Sequence, residues 1–110
     1  MAIPTFVTGD DIVVPVTLKK NGVVFTINPT ATVKAALVGT NHENRLCDDV
    51  MQSSAAAGAN WAASLVVVSL PSSSTSGITH QGDALLEIQV DDGGKRTWFV
   101  PITIVTGLVT

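Results

Sequence analysis

Three acidic pairs, Asp10-Asp11, Asp48-Asp49 and Asp91-Asp92, are the first candidates for chemistry. Loop carboxylates are what calcium takes, about six to eight oxygens at a time. The pairs lack EF-hand spacing, and aspartate also closes turns by bonding its own backbone. They are read as turn residues, with no metal site expected. His42 and His80 are the only histidines and Cys47 is the only cysteine. A nucleophile needs a base within reach and a third group to orient that base. Neither Gly-x-Ser-x-Gly nor His-Glu-x-x-His occurs. The histidines are read as surface loop residues and Cys47 as a small half-buried side chain. Gly93-Gly94-Lys95-Arg96 resembles the end of a phosphate-cradling loop, but its first glycine is missing and it sits in a hairpin. No acid, base and nucleophile converge, so the expectation is a protein that is not an enzyme and holds no cofactor.

Binding chemistry narrows next. The net charge is −3, and the only bases are Lys19, Lys20, Lys34, Arg45, Lys95 and Arg96. Nucleic-acid binders replace phosphate counterions with a basic patch, so no nucleic-acid partner is expected. Aromatic residues make up 5% with no tyrosine, and Trp61, Trp98, Phe6, Phe25 and Phe99 are mostly needed for a core. That leaves few platforms for stacking bases or sugars. One cysteine cannot form an intrachain disulfide and does not suit a cysteine-built zinc site. The longest apolar candidate, residues 62–70, is interrupted by Ser64 and Ser69 and is far short of the roughly 18 residues of a spanning helix. No membrane partner is expected. The opening Met1-Ala2-Ile3-Pro4-Thr5 lacks the layout of a signal peptide, so synthesis in a cytoplasm with Cys47 reduced is expected.

The elements that would position these residues read as strands. The chain has 110 residues, 45% of them apolar, which suits one small domain and excludes a disordered tail. Sixteen Val, seven Ile and thirteen Thr fit pleated strands better than helices. Residues 11–20 alternate, with Ile12, Val14, Val16 and Leu18 on one face. Pro15 has no N–H to donate, so this strand is an edge or carries a bulge. Asn21-Gly22 is a hairpin turn into a return strand over 23–27, and Asn28-Pro29 is a further turn. Residues 32–38 form a strand with Val33, Ala35 and Leu37 inward. Residues 39–49 are a loop, and the Ser/Ala-rich stretch 51–60 reads equally as loop, plain strand or helical turn. Residues 61–70 are a strand apolar on both faces at its centre, and 71–77 a loop. Strands over 84–90 and 95–105 flank an Asp91–Gly94 turn, with Pro101 again marking an edge or bulge. No helix is expected. The spacing predicts an all-β, immunoglobulin-like antiparallel β-sandwich of about six to eight strands. Residues 1–10 form an extended arm and 11–110 a single domain.

Apolar residues are left over once one face of each strand is buried. Val13, Pro15, Val24, Val66 or Val67, Leu85, Phe99 and Val105 lie opposite well-filled core faces. Exposed apolar area of this kind marks a protein contact. The alternative is cover by loops or by the arm.

The order of motifs resembles a known family. Pro4-Thr5-Phe6-Val7-Thr8-Gly9-Asp10-Asp11 precedes a strand, Asn21-Gly22 follows, and Ala31-Thr32-Val33-Lys34-Ala35 leads into the next. A middle strand ends in Leu70-Pro71-Ser72, and Gly82 to Val90 meets Asp91-Asp92-Gly93-Gly94-Lys95-Arg96-Thr97 before a last strand. Nearly the whole chain is similar to the small immunoglobulin-like β-sandwich of tailed-bacteriophage virion proteins, of the kind that opens the baseplate upper protein. The resemblance implies a structural protein located in the virion and made in the host bacterial cytoplasm. Domains of that kind often lead into a helical stalk, and this chain ends at Thr110. That turns the expectation toward a capsid decoration (cement) subunit or a small neck or tail adaptor. The implied partners are other virion proteins (major capsid, neck or tail subunits) and further copies as a homo-oligomer in the particle. Ile3, Phe6, Val7, Val13, Phe99, Leu108 and Val109 are the expected interface residues. The alternative is a carbohydrate- or host-surface-binding module on the same fold, its site formed by loops 42–49 and 72–80.

Overall fold

A computed structural model describes residues 5–24, 26–41, 45–78 and 81–105. Among these, nine strands run in chain order: β1 (Thr5–Val7), β2 (Ile12–Thr17), β3 (Lys19–Lys20), β4 (Val23–Val24), β5 (Thr32–Val38), β6 (Val50–Met51), β7 (Leu65–Leu70), β8 (Gly82–Asp91) and β9 (Lys95–Val105). One sheet has the order β1-β9-β8-β5-β6; β2–β7 and β3–β4 form two-stranded sheets. The protein is mostly β. The large sheet is mixed, which corrects the expectation of purely antiparallel pairing: β1 runs parallel to β9, with Thr5, Phe6 and Val7 opposite Thr103, Ile104 and Val105. Residues 5–7 of the expected arm thus form a strand at the end of their own chain's large sheet, and residues 8–10 turn away from it.

Alternation builds the core. Val33, Ala35 and Leu37 of β5, Ala84, Leu86, Ile88 and Val90 of β8, and Ile102 and Ile104 of β9 point to one side and are buried. Ile12 of β2 and Val66, Val68 and Leu70 of β7 belong to the same buried cluster. Each buried Val, Leu or Ile among them contributes about 1.5–3 kcal/mol by leaving water. Leu18, Ile27, Trp61 and Ile78 complete the cluster from the connections.

The hairpin at Asn21-Gly22 forms as expected. Both residues have positive φ, 54° and 79°, and Lys20 faces Val23, giving a two-residue loop whose twist suits the strands. The return strand is only Val23–Val24; Phe25 lies outside the described residues. Pro15 sits in β2, which among the described residues pairs only with β7, and so lies on an edge of that pair. Pro101 sits in unbroken register opposite Leu85, so no bulge interrupts the pairing of β8 and β9 there.

Three segments differ from the sequence reading. Residues 61–64 are not strand: Trp61–Ala63 is a 3₁₀ turn ending at Ser64, which has φ 65°. The buried Ser64 hydroxyl donates to the Leu18 carbonyl, and the Leu18 N–H returns a bond to the Ser64 carbonyl at 3.0 Å. Residues 72–75 form a one-turn helix, α1 (Ser72–Thr75), where a loop was expected. Asp11 Oδ1 accepts the Ser72 N–H at 2.7 Å, supplying from a distant segment the acceptor that a helix start needs. Val50–Met51 pairs with Ala35 and Lys34, a strand too short to show periodicity. No helix among the described residues is long and apolar enough to cross a membrane.

Candidate interaction surface

The outward side of the large sheet is part covered and part open. Ala36 and Val38 face away from the core cluster yet are buried. Arg45 bridges to Val38 through its backbone, and its guanidinium pairs with Asp49 and with Glu87 at 3.6 Å, over the row that contains Ala36. Beyond that cover, Leu85 faces Pro101 and Phe99 faces Glu87 in adjacent rows, and Phe99 keeps 37% of its surface in solvent. On the β2–β7 sheet, Val13 is 62% exposed opposite Ser69. Val67, on the same outward side, is buried because the chain passes over it at Gly58, where an added Cβ would lie 3.7 Å from Val67 Cγ2.

The described ones among the expected interface residues, Phe6, Val7, Val13 and Phe99, are not gathered into one patch. Phe6 packs against the core from β1, and Val7 is half-buried beside it. Val13 and Phe99 are exposed on different sheets. Ile3, Leu108 and Val109 lie outside the described residues, as do His42 and His80. Sequence reasoning passed over the exposed Val23 and Met51. The signal for Val23 was a valine pair facing a lysine pair across a two-residue turn.

Two polar ties were also invisible beforehand. The buried Gln52 carries its backbone on from β6, donating its N–H to Val33 O at 2.7 Å. Its side-chain amide takes the Ser69 N–H at 2.7 Å and donates Nε2–H to the Ser69 carbonyl at 3.1 Å and to Val50 O at 2.9 Å. It stands in for a peptide unit at β7, joining the large sheet to the β2–β7 pair. The fully buried Thr75 hydroxyl donates to Asp10 O at 2.9 Å and accepts the Gly9 N–H at 3.2 Å. That holds α1 against the turn after β1.

The two loops set aside for the alternative site do meet. Residues 45–48 and Ser73, Ser74 and Gly77 enclose an open pocket of about 420 Å³. Cys47 lines it, with its sulfur accepting the Leu37 N–H at 3.3 Å. Burial pushes the Cys47 thiol pKa up, outweighing the lowering by the Leu37 N–H and by Arg45. A protonated thiol is a poor nucleophile and a poor metal ligand. Among the described residues, no three His, Cys, Asp or Glu side chains are grouped to hold a metal ion. No protein-family model, curated protein or solved structure matches the chain.

Proposed function

We propose that the chain is a non-enzymatic structural subunit of a bacteriophage virion, either a capsid decoration (cement) protein or a small neck or tail adaptor, built as an immunoglobulin-like sandwich. The strand order supports the fold reading. The neighbour order β6-β5-β8-β9 in one sheet and β2-β7 in another is the order that C′-C-F-G and B-E have in variable-type immunoglobulin domains. On that reading the β3–β4 hairpin is an insertion between strands B and C. The motif resemblance described above supports the particle assignment.

One observation carries the functional reading. Apolar side chains stay in solvent at Val13 on the β2–β7 sheet and at Phe99 on the large sheet, beside Leu85 and Pro101. Neighbouring subunits would cover such surface, at the roughly 1,600 Å² scale of a stable contact. Many copies in an array add avidity without tighter single contacts. Density-gradient purification of particles from the host that encodes the chain, followed by mass spectrometry, tests this. The expected result is the chain co-sedimenting with particles in many copies; particles free of it overturn the proposal.

The pocket between residues 45–48 and 73–77 favours a second reading, a carbohydrate- or host-surface-binding module. A glycan array probed with and without calcium separates the two. A defined ligand lost on Asp48→Ala and Ser73→Ala supports the second reading, and an empty array removes it.

A further inference from the structure

The charges of the described residues are sorted along the strands. β9 spans eleven residues, and at about 3.3 Å each its ends lie roughly 35 Å apart. At its first end stand Lys95 and Arg96, with Lys34 in the neighbouring row through Gln89 and Thr97. The β3–β4 hairpin joins them, tied by Trp98 Nε1–H donating to Lys19 O at 3.0 Å. It brings Lys19 and Lys20, so five of the chain's six cations share one end, against Asp91 and Asp92, the latter paired with Arg96 at 3.8 Å.

The opposite end is acidic. Asp83 faces Thr103 near the finish of β9, and Asp10 and Asp11 follow β1, whose Val7 faces Val105. Asp48 lines the pocket at this end: Leu46 N–H bonds Leu37 O where β5 finishes, and α1 is held by Asp11. Arg45, the remaining cation, lines the same pocket but is engaged by Asp49 and Glu87, which leaves this end net acidic. The ends differ in shape as well. The hairpin is exposed on both faces, with Val23 and Val24 beside the lysines, whereas the acidic end is concave at the pocket.

We propose that copies of the chain associate head to tail, the basic β3–β4 hairpin of one docking at the acidic rim of Asp10 and Asp48 on the next. This rests on the reading of the chain as an assembly subunit and specifies how copies meet. The contact uses two different surfaces, so every added copy presents a fresh end. It grows into a ring if the rotation closes and a filament if it does not.

Light scattering and sedimentation velocity of the full chain test it. In about 0.01 M salt the mass should rise with concentration past that of a dimer. In about 0.5 M salt the association constant should fall tenfold or more, because the screening length drops from about 30 Å to under 8 Å. Lys19→Gln/Lys20→Gln and, separately, Asp10→Asn/Asp48→Asn should each be folded monomers by circular dichroism and mass. Their equimolar mixture should give a 1:1 pair and nothing longer, since each supplies the end the other has lost. Two-fold pairing through the Phe99 or Val13 faces would instead be indifferent to salt and to these variants, and that result overturns the proposal. So does a wild-type chain that stays monomeric at about 0.01 M salt and millimolar concentration, which decides the matter even if a variant misfolds. A chain present in particles yet monomeric in solution refutes this arrangement alone. Salt-sensitive chains in solution with particles free of the protein refute the virion role alone.

Discussion

Gln52 and Cys47 differ in what their neighbours ask of them. Gln52 replaces a missing strand with one amide, so its loss leaves the Ser69 N–H and C=O and the Val50 C=O without it in a buried place. Gln52→Ala should lower stability by about 1–3 kcal/mol in urea unfolding, the cost of stranding buried polar groups. Nothing near Met51-Gln52-Ser53 announced this role, because the partners that tie it to β7 are backbone groups seventeen positions away and carry no side-chain pattern. Cys47 was legible as a small half-buried residue, but its bond from Leu37 was not. Its thiol pKa is raised by burial, so the folded state holds its proton longer than the unfolded state does. The contribution is fully present below the ordinary thiol pKa of about 8.5 and is lost as pH rises through the folded value. Urea unfolding of the parent should therefore weaken more between pH 7 and 10 than that of Cys47→Ser, which keeps an acceptor for the Leu37 N–H but does not titrate.

At the element scale, what could be read was periodic and what could not was brief. Strands β5, β8 and β9 follow their alternation almost to the residue, since a one-residue slip would send Val33, Leu86 or Ile102 to the wrong side. β6, the 3₁₀ turn and α1 are two to four residues long, below the length at which a period can be seen, and tertiary bonds fix them. The turn at Asn21-Gly22 was legible because its chemistry is local. Gly22 has φ 79° with open space around an added Cβ, so Gly22→Ala pays only the left-handed backbone cost, about 1–2 kcal/mol. Gly94 is equally open without a positive φ, and Gly94→Ala should be neutral or stabilising by about 0.4–1 kcal/mol. Thermal unfolding of the two variants side by side checks the contrast. Thr75→Val keeps shape but removes the tie to Asp10 and Gly9, and hydrogen exchange of the Gly9 amide should quicken.

For the whole molecule, the excess of apolar residues over what one core can hold was visible in composition, but where the excess would sit was not. Covering loops hide Ala36, Val38 and Val67, each of which alternation places outward. What stays open is divided among three sheets, Val13 on β2–β7, Val23 and Val24 on β3–β4, and Met51 and Phe99 on the large one, so a partner must touch the chain in more than one place or more than one partner must touch it. Core positions and outward positions then separate cleanly in a mutational test. Val13→Thr/Phe99→Thr exchanges apolar for polar surface where solvent already reaches, so unfolding free energy should change by about 1 kcal/mol or less. Co-sedimentation of this double variant with particles should fall sharply while its urea midpoint stays near the parent's. Leu86→Ala, at a fully buried position, should do the reverse for a different reason: a loss of about 2–5 kcal/mol from cavity formation, with the surviving folded fraction still recruited. If the outward variant is recruited as well as the parent, the open apolar surface is not where neighbouring subunits bind.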